Sequence, residues 1–240
     1  MAIGVSKMLN IDIPENFNSP YKAINIKDFW SRWHITLTKF LTKYIYIPLG
    51  GSRKGALRTY INILIIFLIS GIWHGSGRIK PFVIWGLCHG MAMVIYRLFR
   101  KYIDKWNAVF SWIVTFTFIT LTWIPFGASS TEQINYFFSN LFNLEGLMPI
   151  QPNLIEMFKT PGIILLEDYL PQFNFIASRP YIYPIVFLLM TLLIVLNTKN
   201  AKEVTEDFKP TIGMSITTVL LLVWSIISIG EVGTFIYAGF

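Results

Sequence analysis

Uncharged apolar stretches punctuate the chain, running from Tyr60 to Gly77, Pro81 to Tyr96, Trp106 to Thr131, Pro180 to Thr198 and Pro210 to Gly230. A helix needs roughly 17 to 25 such residues to cross a bilayer. The pattern therefore predicts five membrane segments, the first two short or irregular. Apolar runs this long exclude a transmembrane barrel, whose strands of about ten residues alternate in polarity. The predicted fold class is all-α: a polytopic protein whose residues 1–240 form a single membrane domain.

Upstream of the first span the pattern changes. Residues 1–25 carry the turn formers Pro14, Asn16, Asn18, Ser19 and Pro20 and read as a connector. From Ile26 to Ile45 apolar residues recur at three- and four-residue spacing, which predicts one amphipathic helix. Lys27, Arg32, Lys39 and Lys43 take its other side, so the helix should lie in the headgroup region, with His34 at the edge of its apolar face. An ordinary anchor helix would show the same pattern. Pro48 and three glycines then break the helix, so residues 26–58 read as an amphipathic helix followed by a glycine-rich loop on the cytoplasmic side. Backbone N–H groups beside Arg53 and Lys54 can approach a phosphate-bearing ligand, but the spacing is not that of a Walker A loop and a cytosolic topological clamp is the favoured reading.

Charge adds orientation. Segment 27–58 holds seven Lys and Arg, segment 97–105 holds four, and Lys199, Lys202 and Lys209 follow the fourth span, whereas the stretch between Ala128 and Arg179 has two beside five acids. The positive-inside rule places the basic segments in the cytoplasm. Residues 128–179 and Phe240 are then extracytoplasmic, with short interfacial helices expected in the former. The last two spans, free of charge and histidine, read as structural, with Trp224 lining a cavity.

Composition agrees with a membrane protein. Hydrophobic residues make up 54% of the chain and charged residues 14%, against about 25% charged in soluble domains. The net charge of +7 comes from cations crowded at helix ends, so nucleic acid is not an expected partner; the lipid bilayer is. A lone Cys88 excludes an internal disulfide and completes no metal-ligand cluster. No basic region followed by a long apolar core opens the chain, so no cleaved signal peptide is expected.

All three histidines, His34, His74 and His89, fall between positions 34 and 89. Counting from Arg58 at about 1.5 Å per residue, His74 lies roughly 24 Å along its helix, past the midplane. An ionisable side chain at membrane depth marks a functional site by default. A neutral imidazole there can take the proton of an attacking hydroxyl, the task of a general base in acyl transfer. A structural histidine is the alternative. Gly71, Gly75 and Gly77 around it leave space and bend the backbone where a ligand would pass.

The runs DFWSRWHITLTKFLTKYIYIPLGG (Asp28 to Gly51), RTYIN (Arg58 to Asn62), GIWHG (Gly71 to Gly75), IWGLCHG (Ile84 to Gly90) and the terminal FIYAGF resemble the membrane-bound O-acyltransferase family. Within it the likeness is greatest to the alginate O-acetyltransferase branch, related to teichoic acid D-alanyl transfer proteins and peptidoglycan O-acetyltransferases. The resemblance implies that His74 is the catalytic histidine and His34 the second functional one. Trp73, Trp30, Trp33, Arg32 and His89, in or beside these motifs, are the candidate substrate-binding residues. It further implies a cytoplasmic acyl thioester such as acetyl-CoA as donor, with no bound cofactor or metal. The implied acceptor is an extracytoplasmic polysaccharide, served by an extracytoplasmic acetyltransferase partner protein at the bacterial inner membrane. Members of the family are longer, with further helices ahead of the segment where this chain begins, which implies a C-terminal half. A proton-coupled transporter, using the histidines as a relay, and a non-catalytic scaffold are the competing classes; a relay would favour paired acids in the spans, and the sequence has none.

Overall fold

The protein is described by a computed structural model over residues 2–75, 77–141, 182–206 and 210–227. The chain divides into two units, Met1–Asn143 and Leu144–Phe240. The terminal FIYAGF and most of the 128–179 segment lie outside the described residues.

In the first unit a short helix α1 (Ala2–Met8) precedes an extended stretch and a single 3₁₀ turn (Pro20–Lys22). Helix α2 (Ile26–Arg32) starts where Asn25 Oδ1 accepts the Asp28 backbone N–H at 2.8 Å, satisfying a donor that the first turn leaves free. An ion pair one turn apart, Asp28 to Arg32 at 2.7 Å, runs along it. The single helix expected over residues 26–45 is broken. Helix α2 ends at Arg32, His34 takes the left-handed conformation at φ 49°, ψ 49°, and α3 (Ile35–Leu41) restarts beyond it, running into a π-helical turn (Thr42–Tyr46). Amphipathic spacing does not register such a break, because it depends only on where apolar residues fall along the chain.

Three long apolar helices follow: α4 (Ala56–His74), α5 (Ile79–Ile103) and α6 (Ala108–Gly127), each long enough to cross a bilayer. The first two spans are thus regular helices of 19 and 25 residues rather than short or irregular ones. Charges at the ends of α5 had truncated the uncharged window without ending the helix. Helices α4 and α5 approach through glycines. A Cβ on Gly71 would collide with the Phe82 carbonyl oxygen, and one on Gly86 with that of Phe67. Small residues allow such approach where lipid supplies no hydrophobic drive between helices. Gly71 is therefore spent on packing, not on room for a ligand. Only Gly77, at φ +74° with nothing near its missing Cβ, opens the turn between the two helices.

The glycine-rich loop folds back onto α4. Gly50, Gly51 and Gly55 sit at positive φ, and the buried Asn62 donates from Nδ2 to the Gly51 carbonyl at 3.0 Å. Within the loop the Gly50, Gly51 and Arg53 N–H groups donate to the Ile47, Tyr46 and Gly50 carbonyls at 2.9, 2.8 and 3.2 Å. Helix α7 (Thr131–Asn140), capped by Ser130, opens the segment expected outside the membrane. In the centre of the unit Ile26, Phe29, Trp30, Phe67, Trp85 and Ile119 form the core.

The second unit contributes α8 (Ile182–Asn197), α9 (Ala201–Glu206) and α10 (Ile212–Ile227). At the start of α9 Asn200 and Glu203 cap each other's backbone N–H groups at 2.9 and 2.8 Å, a reciprocal capping pair. Helices α8 and α10 are apolar and 16 residues each, so three of the five expected spans have full membrane length among the described residues. Trp224, on α10, is 53% exposed.

Candidate functional site

Four parts of the chain converge on an aromatic cluster. The α2–α3 junction supplies His34, the C-terminal end of α4 supplies Trp73 and His74, and α5 and α6 supply Phe82, Trp85 and Phe126. The His34 and His74 rings lie 6.1 Å apart between centroids, although 40 positions separate them in sequence. Trp73 packs on both, at 6.3 Å from His34 and 4.6 Å from His74. Phe82, Trp85 and Phe126 surround His74 on its other sides. Both imidazoles are half-buried, so a substrate can reach them from one side. No described residue hydrogen-bonds the ring nitrogens of His74.

His34 is held more tightly. A left-handed backbone at a residue other than glycine costs on the order of 1–3 kcal/mol and persists only where its surroundings enforce it. Here the surroundings come from the stretch read as a connector. The Asn16 carbonyl accepts the Ile35 N–H at 2.9 Å, and the Asn18 N–H donates to the Arg32 carbonyl at 2.8 Å. Asn16 Oδ1 accepts from the Thr36 N–H at 3.1 Å and the Thr36 hydroxyl at 2.7 Å, and lies 3.2 Å from His34 Nδ1. Phe17 stacks edge-on against Trp33 at 4.8 Å. Burial pushes the His34 imidazole below its usual 6.5, since a low-dielectric setting disfavours the charged ring.

Beside the cluster, α2 to α5 and the π-helical turn line a cavity of about 230 Å³. Trp30, Thr38, Tyr46, Phe67, Ser70 and Arg97 are among its lining residues. Trp30 Nε1 and Ser70 Oγ are buried without a described partner. Buried polar groups are nearly always hydrogen-bonded, so these two are free to meet a polar atom of a ligand. Ser70 stands one turn before His74 on the same face of α4, a spacing that sequence alone displays.

The remaining candidates separate. Trp73 joins the imidazole pair and is 60% exposed. Trp33 packs between Phe17, Phe29 and Trp123. Arg32 is engaged with Asp28 and the Asn18 carbonyl, which leaves it holding the α2–α3 junction. His89 does not join the pair. It is 2% exposed and enclosed by Phe29, Trp30, Phe67, Trp85 and Phe118. Sequence reading missed Asn16, Ser70, Trp85 and Phe126. Only Ser70 carried a signal, its helical spacing from His74; the others depend on which helices become neighbours.

Fold and site together define an all-α membrane protein carrying a pair of imidazoles inside its helical unit. The model of the membrane-bound O-acyltransferase family matches residues 1–131, and the chain belongs to that family. It is 46% identical over 151 residues to the peptidoglycan O-acetyltransferase of Helicobacter pylori, covering 61% of this chain and 28% of that protein. To the "Probable alginate O-acetylase AlgI" of Pseudomonas aeruginosa it is 38% identical, over 55% of this chain and 25% of the relative. To the teichoic acid D-alanyltransferase of Bacillus subtilis it is 32% identical, over 49% and 33%. The chain thus spans between a quarter and a third of the length of the curated relatives it matches.

Proposed function

We propose that this chain carries the reaction centre of an O-acyltransferase that moves an acetyl group from a thioester to a hydroxyl of a cell-surface polysaccharide. The observation that carries the reading is the 6.1 Å approach of the His34 and His74 rings. His74 takes the proton of the acceptor hydroxyl as its oxygen attacks the thioester carbonyl. The carbon–sulfur bond then breaks, and the departing thiolate receives that proton to leave as a free thiol. His34 assists by accepting a hydrogen bond at the same site. The cavity beside Ser70 and Trp30 offers two unpartnered polar groups to the thioester donor, an acetyl-CoA ester in the simplest case. Trp73 guards the exposed side of the pair.

The names of the relatives, enzymes that O-acetylate peptidoglycan or alginate and a teichoic acid D-alanyltransferase, support a cell-surface polymer as acceptor. The reaction is set at the bacterial inner membrane, with an extracytoplasmic acetyltransferase as partner. The test is acetyl transfer from a labelled thioester by membranes carrying the complete protein. General-base removal costs about 10² to 10⁴-fold in rate, so His74→Gln should abolish detectable transfer at unchanged abundance, while His34→Ala lowers it in part. Near-normal transfer by His74→Gln would make His74 a packing residue and end this reading.

A further inference from the structure

We propose that Asn16 is a positioning residue that holds His34 in its Nδ1–H tautomer and thereby makes Nε2 the basic atom of that ring. The assignment follows from one unambiguous donor. A backbone N–H can only donate, so the Asn16 atom 3.1 Å from the Thr36 N–H is the amide oxygen. This fixes the orientation of the amide, which otherwise has to be inferred from its neighbours. The same oxygen lies 3.2 Å from His34 Nδ1. A carbonyl oxygen cannot donate, so the hydrogen between the two atoms sits on Nδ1. A neutral imidazole carries one N–H, and the lone pair is then on Nε2. Which ring nitrogen is protonated is set by the bond the other makes.

The surroundings leave the ring little freedom to choose otherwise. The left-handed backbone of His34 and the Asn16 carbonyl bonded to the Ile35 N–H at 2.9 Å hold the two residues together from either side of the side-chain contact. Phe17, the residue after Asn16, lies 6.0 Å from the imidazole. With the opposite tautomer Nδ1 and Oδ1 would face each other as two acceptors, and Nε2 would be a donor unable to receive a proton or hydrogen bond from a hydroxyl.

This inference rests on the acyl-transfer reading for its purpose but not for its chemistry, and the two are separable by experiment. In the complete protein labelled with nitrogen-15 histidine, the His34 signals are identified by their loss in His34→Gln. The expected spectrum is that of an imidazole protonated at Nδ1. Asn16→Ala should lose that pattern and lower kcat about tenfold or more with KM for the thioester unchanged, and Asn16→Asp, which keeps an acceptor oxygen in place, should restore both. A His34 ring protonated at Nε2 in the unsubstituted protein overturns the assignment, whatever the activity. Full kcat in Asn16→Ala overturns the positioning role. Wild-type transfer by His34→Ala, with the Nδ1–H pattern intact in the unsubstituted protein, overturns the part given to His34 in transfer and leaves the tautomer standing.

Discussion

His34 shows how a residue's backbone, ring and burial combine into one property. The αL turn at His34 separates α2 from α3, Asn16 fixes one ring nitrogen, and burial resists protonation of the other. Because the folded ring titrates below 6.5 while the unfolded one does not, the unfolded chain binds more protons as pH falls through that range. Stability should therefore drop on acidification. The midpoint of thermal unfolding is expected to fall as the pH drops below about 6.5, and the fall should shrink in His34→Gln. Transfer should likewise keep its acid limb below 6.5, because the imidazolium has no lone pair to offer. An acid limb above that value would contradict it. His89 presents the opposite case, a buried ring whose Nδ1 has no described partner and whose neighbours are aromatic. Removing an unsatisfied buried polar group in favour of an apolar one of similar size is neutral or stabilising. His89→Leu is thus expected to keep abundance, thermal stability and transfer near normal. Loss of transfer at normal stability would return His89 to the site.

At the level of elements, the pairing of α4 with α5 sets where His74 stands. Gly71 and Gly86 let the two backbones meet, and a methyl group at either position has a carbonyl oxygen in its way that side-chain rotation cannot move. Overpacking of this kind costs about 1–3 kcal/mol, so Gly71→Ala and Gly86→Ala should lower the thermal midpoint and reduce transfer together. Gly127→Ala, with nothing near its Cβ, should leave both unchanged or raise stability slightly, as expected when a helical glycine is replaced. Equal effects at all three positions would mean that close approach is not what these glycines supply. The break between α2 and α3 belongs to this scale as well. Its capping partners lie on Asn16 and Asn18, outside the periodic segment, which is why hydrophobic spacing alone read one helix across it.

For the whole molecule, the distribution of cations remains the guide to orientation. Residues 43–58 are expected in the cytoplasm and the start of α7 outside, so Ser129→Cys should react with an impermeant thiol reagent in intact cells and Ser52→Cys only after lysis. Both side chains are exposed, and the reverse pattern would invert the topology. Sequence by itself determined the all-α membrane character, the first three spans, the family motifs and the candidacy of His34 and His74. Each of these depends on local composition or on helical spacing, which a linear string contains. Only the tertiary structure decided that His34 and His74 meet, that His89 is sealed in the core beside them, and that Asn16 serves His34. These are contacts between elements, fixed by the glycine-to-carbonyl fit of α4 on α5 and by a side chain 18 positions from the ring it orients. No periodicity along the chain encodes that distance.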